Sequence, residues 1–143
     1  GERFSAQQSD DDAPAVDYNS KGYVLTRPRP LLYEGIEQRV DEMLKAGWQA
    51  EVKQLQDMGL SRDDQSMQAI GYRHLLAYLD EDRDWEATIT EIKRDTRRFA
   101  KRQLTWFRSG EYEWLEWATE EDFAVAVDAL RRAAHQLYDA LSG

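Results

Sequence analysis

A short basic segment holds most of the side chains in this chain that could bind an anionic partner. Residues 92–108 carry seven Lys or Arg and a single Asp, although the whole chain has 19 basic against 28 acidic residues and a net charge of -9. Gln103, Thr105 and Trp106 lie in the same segment and could form hydrogen bonds with nucleobases or stack on them. A basic island in an acidic chain indicates a local anionic partner.

The basic side chains of this segment recur at spacings that bring like charges together on a helix. Arg94 and Arg98, and likewise Arg97 and Lys101, are four residues apart, where repulsion costs a few tenths of a kcal/mol per pair. A helix with this repulsion is expected to bind an anion that offsets it. The alternative is an ordinary solvated helix face, which is what most charge runs are.

Residues suited to covalent or metal chemistry are scarce. The chain has no Cys and only two His, His74 and His135, so thiol chemistry and Cys-ligated zinc are excluded. His74 is interpreted as a partly buried, hydrogen-bonded side chain and not as a base. The Gly-rich phosphate loops and catalytic signatures of the common enzyme classes are missing from the sequence. The residues alone therefore predict no catalytic residue and no metal site.

A second basic position follows a β-prone run. Arg27 and Arg29 lie in a Pro-rich turn between residues 23–26 and the first helical pattern. The end of a strand next to a helix N-terminus is a favourable place for phosphate, because backbone N–H groups and the helix dipole point there. The alternative is that these Arg side chains simply lie on the surface.

Apolar residues at helical spacing predict the elements that position these side chains. The third helix is expected to open with a capping box at Ser61 and Asp64 and to continue past Gly71. In the fourth helix the apolar stripe extends through Phe99, Gln103 and Trp106, with the basic side chains on the solvent side. The other helices are predicted from residue 31 to near Gly47, from Trp48 to Gly59, and from a cap at Thr119 and Asp122.

The length of 143 residues predicts one domain, and the helical patterns predict the mainly α class. About five helices and one short strand near residues 22–26 are expected, with residues 1–22 as a polar loop or disordered lead-in and residues 23–143 as the helical portion. A lone strand needs partners, and no second strand is evident in the sequence. This mismatch indicates a fragment of a larger protein.

No apolar stretch approaches the ~20 residues needed to cross a bilayer, and the N-terminal residues lack the pattern of a signal peptide. We therefore expect a cytoplasmic chain with no membrane partner. A monomer is the working expectation, because the sequence does not determine the oligomeric state.

Three blocks of the sequence resemble the C-terminal part of the tRNA dimethylallyltransferases, also called tRNA isopentenyltransferases. They are IEQRVDEML at residues 36–44, AIGYR at residues 69–73 and AKRQLTWFR at residues 100–108. Their order and spacing also match, and the last block is the most specific. One departure is Gly35, which stands where the family usually has an Arg.

The resemblance implies a P-loop-like, nucleotide-binding α/β enzyme of the ATP-binding type, of which this chain is a fragment. Such enzymes transfer a dimethylallyl group from its diphosphate, held with Mg²⁺, to N6 of the adenosine next to the anticodon. The Gly-rich loop and the catalytic Asp of the family belong to an N-terminal core that this sequence lacks. The isolated chain is therefore predicted to be inactive, without a cofactor of its own.

The family's functional positions transfer to particular residues of this chain. Arg29 matches a channel residue that contacts phosphate or diphosphate. The residues implied to contact the tRNA anticodon stem-loop are Arg73, Arg97, Lys101, Arg102, Gln103, Thr105 and Trp106. These residues would position RNA without making or breaking bonds, and Gln103 and Trp106 would be either core supports or base contacts.

Two other hypotheses follow from the residues. The chain could be a stand-alone helical interaction module that binds an acidic partner protein through the basic helix at residues 92–108. It could also be mainly a structural fragment, whose unpaired strand would favour self-association.

Overall fold

The computed structural model describes residues 21–81 and 83–142, with side chains up to Ala140. The predicted mainly α class is confirmed, with five α-helices, one turn of 3₁₀-helix and a two-stranded sheet. The lead-in predicted for residues 1–22 lies outside the described residues except for its last two positions. The elements are β1 (Gly22–Thr26), α1 (Arg29–Lys45), α2 (Trp48–Asp57), the 3₁₀ turn (Gln65–Gln68), α3 (Tyr72–Glu81), α4 (Trp85–Phe107), β2 (Tyr112–Glu116) and α5 (Glu120–Ser142).

Helices α1 to α4 enclose the hydrophobic core. Helix α1 packs against α4, α2 packs against α3, and α3 packs against α4. The apolar stripes predicted from the 3,4-spacing supply the buried side chains, because a helix with one apolar face is stable in water only when that face is covered. The core consists of Val40, Trp48, Val52, Met67, Leu75, Leu76 and Ile92.

The third helix differs from the prediction. Asp64 Oδ2 accepts a hydrogen bond from the Ser61 backbone N–H at 2.8 Å, but only the 3₁₀ turn follows this cap, and α3 begins at Tyr72. The prediction of one continuous helix is wrong because Gly71 has a φ of +95°, outside the helical region. A Cβ at this position would lie 1.9 Å from Cη2 of Trp48, so only Gly fits beside that indole.

The prediction of a single unpaired strand is also wrong. Strand β1 pairs in parallel with β2, and the register joins Gly22 to Tyr112 and Thr26 to Glu116. All four core helices lie between the two strands in the chain, so the pairing is non-local and leaves no turn motif in the sequence. Strand β2 has only five residues, and all of them except Leu115 are aromatic or acidic. A search for alternating apolar residues therefore does not find it.

Helix α5 begins with the predicted capping box. The Asp122 backbone N–H donates to Thr119 Oγ1 at 3.2 Å, and Asp122 Oδ2 accepts from the backbone N–H of Thr119 at 3.0 Å and of Ala118 at 3.1 Å. These backbone N–H groups, that of Thr119 first, lower the pKa of the Asp122 carboxyl. The helix packs against β2. In the described part of the chain, no helix combines the length and the apolar character needed to span a membrane.

Candidate functional site

The N-terminal half of α4 is fixed against α1 by ion pairs. Asp84 caps α4, accepting a hydrogen bond from the Ala87 backbone N–H at 2.7 Å. Lys93 Nζ lies 2.7 Å from Asp41 Oδ1, and Arg97 pairs with Glu37, both acids being on α1. The prediction that these basic side chains extend into solvent is therefore wrong for Lys93 and Arg97. Acids on a neighbouring helix offset part of the repulsion expected along α4.

Asp95, the one acid in the basic segment, joins α4 to the start of α3. Its carboxylate lies 3.0 Å from Arg73 Nη2, 3.1 Å from Arg94 Nε and 3.6 Å from Arg98 Nη1. Burial acts to raise the pKa of Asp95, but the hydrogen bonds from Arg94, His74 and Arg73 together lower it. Asp95 therefore stays ionised and neutralises part of the surrounding positive charge.

His74 is the buried, hydrogen-bonded side chain that the sequence predicts. Its Nδ1 accepts a hydrogen bond from the Gly71 backbone N–H at 3.3 Å, which places the ring proton on Nε2, 3.2 Å from Asp95 Oδ2. Burial lowers the pKa of His74, and the hydrogen bond to Asp95 only partly opposes this. A neutral imidazole with both nitrogens engaged is a structural link and not a general base.

The C-terminal half of α4 is exposed. The side chains of Phe99 and Trp106 are 45% and 64% exposed, and Gln103 is also on the surface, so the prediction that the core stripe extends through them is wrong. The ion pairs from α1 and α3 reach α4 at Lys93, Asp95 and Arg97, in its N-terminal half, whereas Phe107 at its C-terminal end packs against Tyr112 of β2. Gln103 and Trp106 are thus not core supports within the described structure.

The cations in this exposed half lack acidic partners. In residues 21–81 and 83–140, no carboxylate forms an ion pair with Lys101 or Arg102, whereas four other basic side chains of α4 are paired. Arg102 lies over the Phe99 ring, with Cζ 5.7 Å from the ring centroid. A shallow depression of about 620 Å³ is lined by Arg98, Lys101, Arg102, Thr105, Trp106 and Ser109.

Arg102 also lines a second cavity of about 640 Å³. This cavity lies between α1, α4 and the segment of residues 68–73, and Arg73 contributes to it. Gln103 borders a smaller recess with Arg102 and Trp106. Arg102 therefore belongs to all three depressions, and this shared stretch of surface includes Arg73, Lys101, Gln103, Thr105 and Trp106.

Two of the sequence-predicted residues lie apart from this stretch. Arg97 is directed toward Glu37, and Arg29 is exposed at the first position of α1 and lines none of the cavities described above. Two cavity residues, Arg39 and Phe99, were not predicted. The helical stripe made Phe99 look like a core residue. Arg39 lies three residues after Ile36, so Arg39 and Ile36 share the cavity side of α1.

The fold and these residues can be set against known proteins. A family model described as IPP transferase matches residues 1–110. The chain belongs to the IPP transferase family. It is 48% identical over 107 residues to tRNA dimethylallyltransferase 1 of Trichlorobacter lovleyi, covering 75% of this chain and 34% of that protein. It is 39% identical over 132 residues to the tRNA dimethylallyltransferase of Desulfatibacillum aliphaticivorans, covering 92% of this chain and 41% of that protein.

Solved structures of this family share the fold. The full-length tRNA isopentenylpyrophosphate transferase of Bacillus halodurans superimposes with a TM-score of 0.76 at 34% identity, covering 90% of this chain and 44% of that chain. The tRNA delta(2)-isopentenylpyrophosphate transferase of Staphylococcus epidermidis gives a TM-score of 0.72 at 31% identity, covering 82% and 39%. The resemblance found in the sequence is confirmed. The chain spans about a third to two-fifths of the curated relatives it matches, corresponding to their C-terminal portion.

The described residues provide no ligand set for the Mg²⁺ that the family resemblance implies. Among the described residues, no group of three or more His, Asp or Glu side chains converges so that it could hold a metal ion. Asp41 and Glu37 of α1, which face the N-terminal half of α4, are engaged with Lys93 and Arg97 instead. The arrangement can bind anions and aromatic groups, but it does not fit Mg²⁺.

Proposed function

We propose that this chain is the C-terminal part of a tRNA dimethylallyltransferase, which transfers a dimethylallyl group from its diphosphate to N6 of the adenosine next to the anticodon. Its contribution is to bind and position the anticodon arm of the tRNA. The proposal rests on one observation: two cations, Lys101 and Arg102, have no acidic partner in the described structure and lie beside the exposed indole of Trp106. The names of the relatives, which are tRNA-modifying transferases, support it.

The distribution of charge along α4 favours an RNA backbone at its C-terminal end. Lys93 and Arg97 are already bound by acids of α1, so they add little to an external ligand. Lys101 and Arg102 are exposed and have no such partner in the described structure, and they are free to contact phosphates. Phosphate contacts of this kind give affinity and register without reading sequence.

The uncharged neighbours supply what single-stranded RNA requires besides charge. Trp106 presents most of its indole to solvent, and a stacked base there would gain about 1–3 kcal/mol. Gln103 can donate and accept hydrogen bonds at a base edge, and Thr105 Oγ1 already donates to the Lys101 carbonyl oxygen at 3.0 Å. Arg73 extends the cationic surface from the start of α3.

The transfer chemistry is assigned to the part of the enzyme that this chain does not include. In the described residues no metal-binding group is present, and burial keeps the imidazole of His74 neutral while both of its nitrogens are hydrogen-bonded. Dimethylallyl diphosphate and Mg²⁺ are the substrate and cation of the whole enzyme, held by an N-terminal P-loop-like core. We propose that Arg29 reaches the phosphate or diphosphate from the start of α1, and that the enzyme is a cytoplasmic monomer.

The proposal is tested by fluorescence anisotropy of a labelled anticodon stem-loop RNA titrated with the 143-residue chain at several salt concentrations. The log of the affinity is expected to fall with the log of the salt concentration at a slope of about -2 to -4, as three to five phosphate contacts give. The double variant Lys101→Ala/Arg102→Ala is expected to weaken binding at least tenfold and to make this slope shallower by about 1–2.

A matched control removes two unpaired cations elsewhere on the surface. Lys45 ends α1 and Arg131 lies on α5, and neither forms an ion pair in the described structure. The variant Lys45→Ala/Arg131→Ala has the same net charge as the test variant and is expected to bind RNA like the unaltered chain. Equal weakening by both variants would indicate only a general charge effect. Absence of RNA binding at low salt would contradict the RNA-positioning role proposed for this chain.

A further inference from the structure

The side chain of Arg27 lies between two segments that are far apart in the sequence. Its Cζ is 4.5 Å from the ring centroid of Trp117, and its Nη1 is 3.6 Å from the place that a Cβ at Gly35 of α1 would occupy. We propose that Arg27 and Trp117 form a clamp on the connection between β1 and α1, and that Arg27 is thereby the positioning residue for Arg29. The inference rests on the proposed function only in the phosphate or diphosphate contact given to Arg29.

Stacking is the interaction that holds the Arg27 guanidinium. Its Nε is buried without a hydrogen-bond partner, and in the described part of the chain no carboxylate forms an ion pair with this side chain. A guanidinium over an indole is attracted by the ring quadrupole, and more strongly where the pair is partly removed from water. Both side chains are half-buried here. An ordinary surface Arg would keep its Nε hydrated, so burial of that atom favours the clamp.

Gly35 provides the space for the guanidinium on the α1 side. Gly is less favourable inside a helix than every residue except Pro, and the φ of Gly35 is not positive, so the backbone does not require Gly there. Among the described residues, only Arg27 Nη1 comes within 4 Å of a Cβ at this position. A methyl group would make an ordinary contact at 3.6 Å, whereas a longer side chain would compete with the guanidinium for the same space.

The clamp acts on the residues that set the position of Arg29. Only Arg27 and Pro28 connect β1 to α1, and Arg29 is the first residue of the helix. Pro28 has a φ of -46° and a ψ of 136°, and its ring keeps φ close to this value. The chain between Arg27 and Arg29 therefore has few alternative conformations, and fixing the first residue restricts the second.

Trp117 is itself fixed where β2 ends. Its backbone N–H donates to the Thr26 carbonyl oxygen at 2.9 Å, and its indole packs against the Phe123 ring at the start of α5, 5.0 Å between centroids. The family model matches residues 1–110, so Trp117 lies beyond the matched range. The clamp therefore joins a residue inside that range to one outside it, and the family match does not imply it.

The experiment is NMR of the ¹⁵N-labelled 143-residue chain, recording backbone amides and the Nε–H signals of Arg side chains. Arg27→Met removes the guanidinium and Arg27→Lys keeps a cation. Trp117→Leu removes the ring without changing the charge, and Trp117→Phe keeps an aromatic face. The matched control is Arg108→Met, which removes an exposed Arg whose Cζ lies 5.9 Å from the Trp114 ring centroid. Thermal unfolding establishes that each variant is folded.

The clamp predicts a local loss of order at Arg29. In the unaltered chain the Arg27 Nε–H is expected to be shifted upfield by the indole ring current. Arg27→Met and Trp117→Leu should each lower the backbone order parameter of Arg29 from about 0.85 toward about 0.6. Each should also speed hydrogen exchange of the Trp117 amide about 2- to 30-fold. Trp117→Phe and Arg27→Lys should restore part of both, and the double variant should add less than about twofold to either single loss.

Two variants of Gly35 test the space next to the guanidinium. Gly35→Ala is expected to leave the Arg27 Nε–H and the Arg29 signals in place, because a methyl group fits at 3.6 Å. Gly35→Met is expected to displace the guanidinium and reproduce the NMR changes of Trp117→Leu, although both members of the clamp are still present.

Titration with inorganic pyrophosphate connects the clamp to the proposed phosphate contact. The Arg29 Nε–H signal is expected to move on addition of pyrophosphate, and Trp117→Leu should weaken the apparent affinity about 3- to 10-fold. This variant loses no cation, so the weakening would come from the position of Arg29. Trp117→Phe should recover most of the affinity, and Arg108→Met should change it less than about twofold.

Two outcomes would overturn the inference. One is that the Arg29 signals in Arg27→Met and Trp117→Leu are the same as in Arg108→Met. The other is that Trp117→Leu lowers order equally throughout the chain, because the ring would then have only a general structural role. If order at Arg29 falls as expected but pyrophosphate leaves its signal unmoved in the unaltered chain, the positioning by Arg27 is upheld. The diphosphate contact in the proposed function would then be what fails.

Discussion

Nε2 of His74 lies 3.2 Å from Oδ2 of Asp95, and this contact ties the start of α3 to the middle of α4. The same carboxylate holds Arg73, and the other nitrogen of the imidazole holds the Gly71 backbone N–H. One buried link thus fixes the residues 69–73 relative to the basic helix. The surface proposed to bind RNA depends on that relative position.

Acidification is expected to destabilise the fold through His74. Burial lowers its pKa below the usual value of 6.5, so the unfolded chain takes up a proton more readily than the folded chain. The stability contributed by the neutral imidazole is therefore present above about pH 6.5 and is lost as the pH falls below it. Urea unfolding between about pH 8 and about pH 5 should show this decline, and His74→Gln should flatten it.

The control for this pH series is His135→Gln, which removes an exposed His of α5. It is expected to keep the decline of the unaltered chain. Asp95 acts in the same direction at lower pH: its folded pKa is depressed below 3.8, so its contribution is present above that value and is lost as the pH falls through the folded pKa. A full decline in His74→Gln would show that another group is responsible.

Asp95→Asn is expected to lower the free energy of unfolding by about 1–3 kcal/mol at neutral pH, because a largely buried carboxylate bonded to His74 and Arg73 is lost. It should also weaken binding of the stem-loop RNA, since Arg73 is no longer held. Asp57→Asn removes an exposed partner of Lys53 on α2 and should change stability by less than about 0.5 kcal/mol. Urea unfolding compares the two, and equal losses would contradict the role given to Asp95.

Gly71→Ala is expected to destabilise the chain much more than Gly59→Ala. Both positions have a positive φ, +95° and +96°, so each substitution incurs about 1–2 kcal/mol of backbone strain. Only at Gly71 would the new Cβ clash with Trp48, because no atom lies within 4 Å of a Cβ at Gly59. The clash should add about 1–3 kcal/mol. Similar free energies of unfolding for the two variants would mean that the indole moves aside easily.

Trp106→Ala is expected to separate RNA binding from stability. The side chain is 64% exposed, so unfolding should change by less than about 1 kcal/mol, whereas loss of a stacking contact should weaken stem-loop binding about 5- to 100-fold. Trp106→Phe, which keeps a ring, should restore most of the affinity. If Trp106→Ala binds RNA normally and unfolds easily, the indole has a structural role.

Arg97→Ala is expected to affect the packing of α4 on α1 more than RNA binding. Arg97 and Glu37 are 31% and 43% exposed, so their coupling free energy in a double-mutant cycle should be about 0.5 kcal/mol and should shrink with added salt. Anisotropy should show stem-loop binding within about twofold of the unaltered chain. A loss as large as that of Lys101→Ala/Arg102→Ala would place Arg97 among the RNA contacts.

The local signals in the sequence were reliable where a few neighbouring residues decide the conformation. Helix caps and helix ends depend on contacts within one turn. They include the cap at Asp84, the capping box at Thr119 and Asp122, and the helix ends at Gly47 and Gly59. The break at Gly71 was missed because the spacing of apolar residues does not reveal the φ of Gly71 or its contact with the indole of Trp48, which is distant in the chain. No pattern within residues 61–79 records that neighbour.

The predicted site stays a prediction, and the structure corrects part of the geometry expected for it. Sequence spacing assigned Phe99, Gln103 and Trp106 to a buried stripe, because 3,4-periodicity marks a helix face without saying whether another element covers it. It also could not show that Arg97 is neutralised by Glu37 while Lys101 is left without an acid. Both facts depend on which helices lie against α4.

The sequence by itself determined that this is a mainly α chain with a basic helix and the residues of the IPP transferase family, because composition, local spacing and motifs are properties of the chain alone. Only the tertiary structure decided which cations are available, that β1 pairs with β2, and that Arg39 and Phe99 share a cavity. Charge pairing, burial and strand pairing depend on side chains brought together from distant positions, and their free energies are set by that packing.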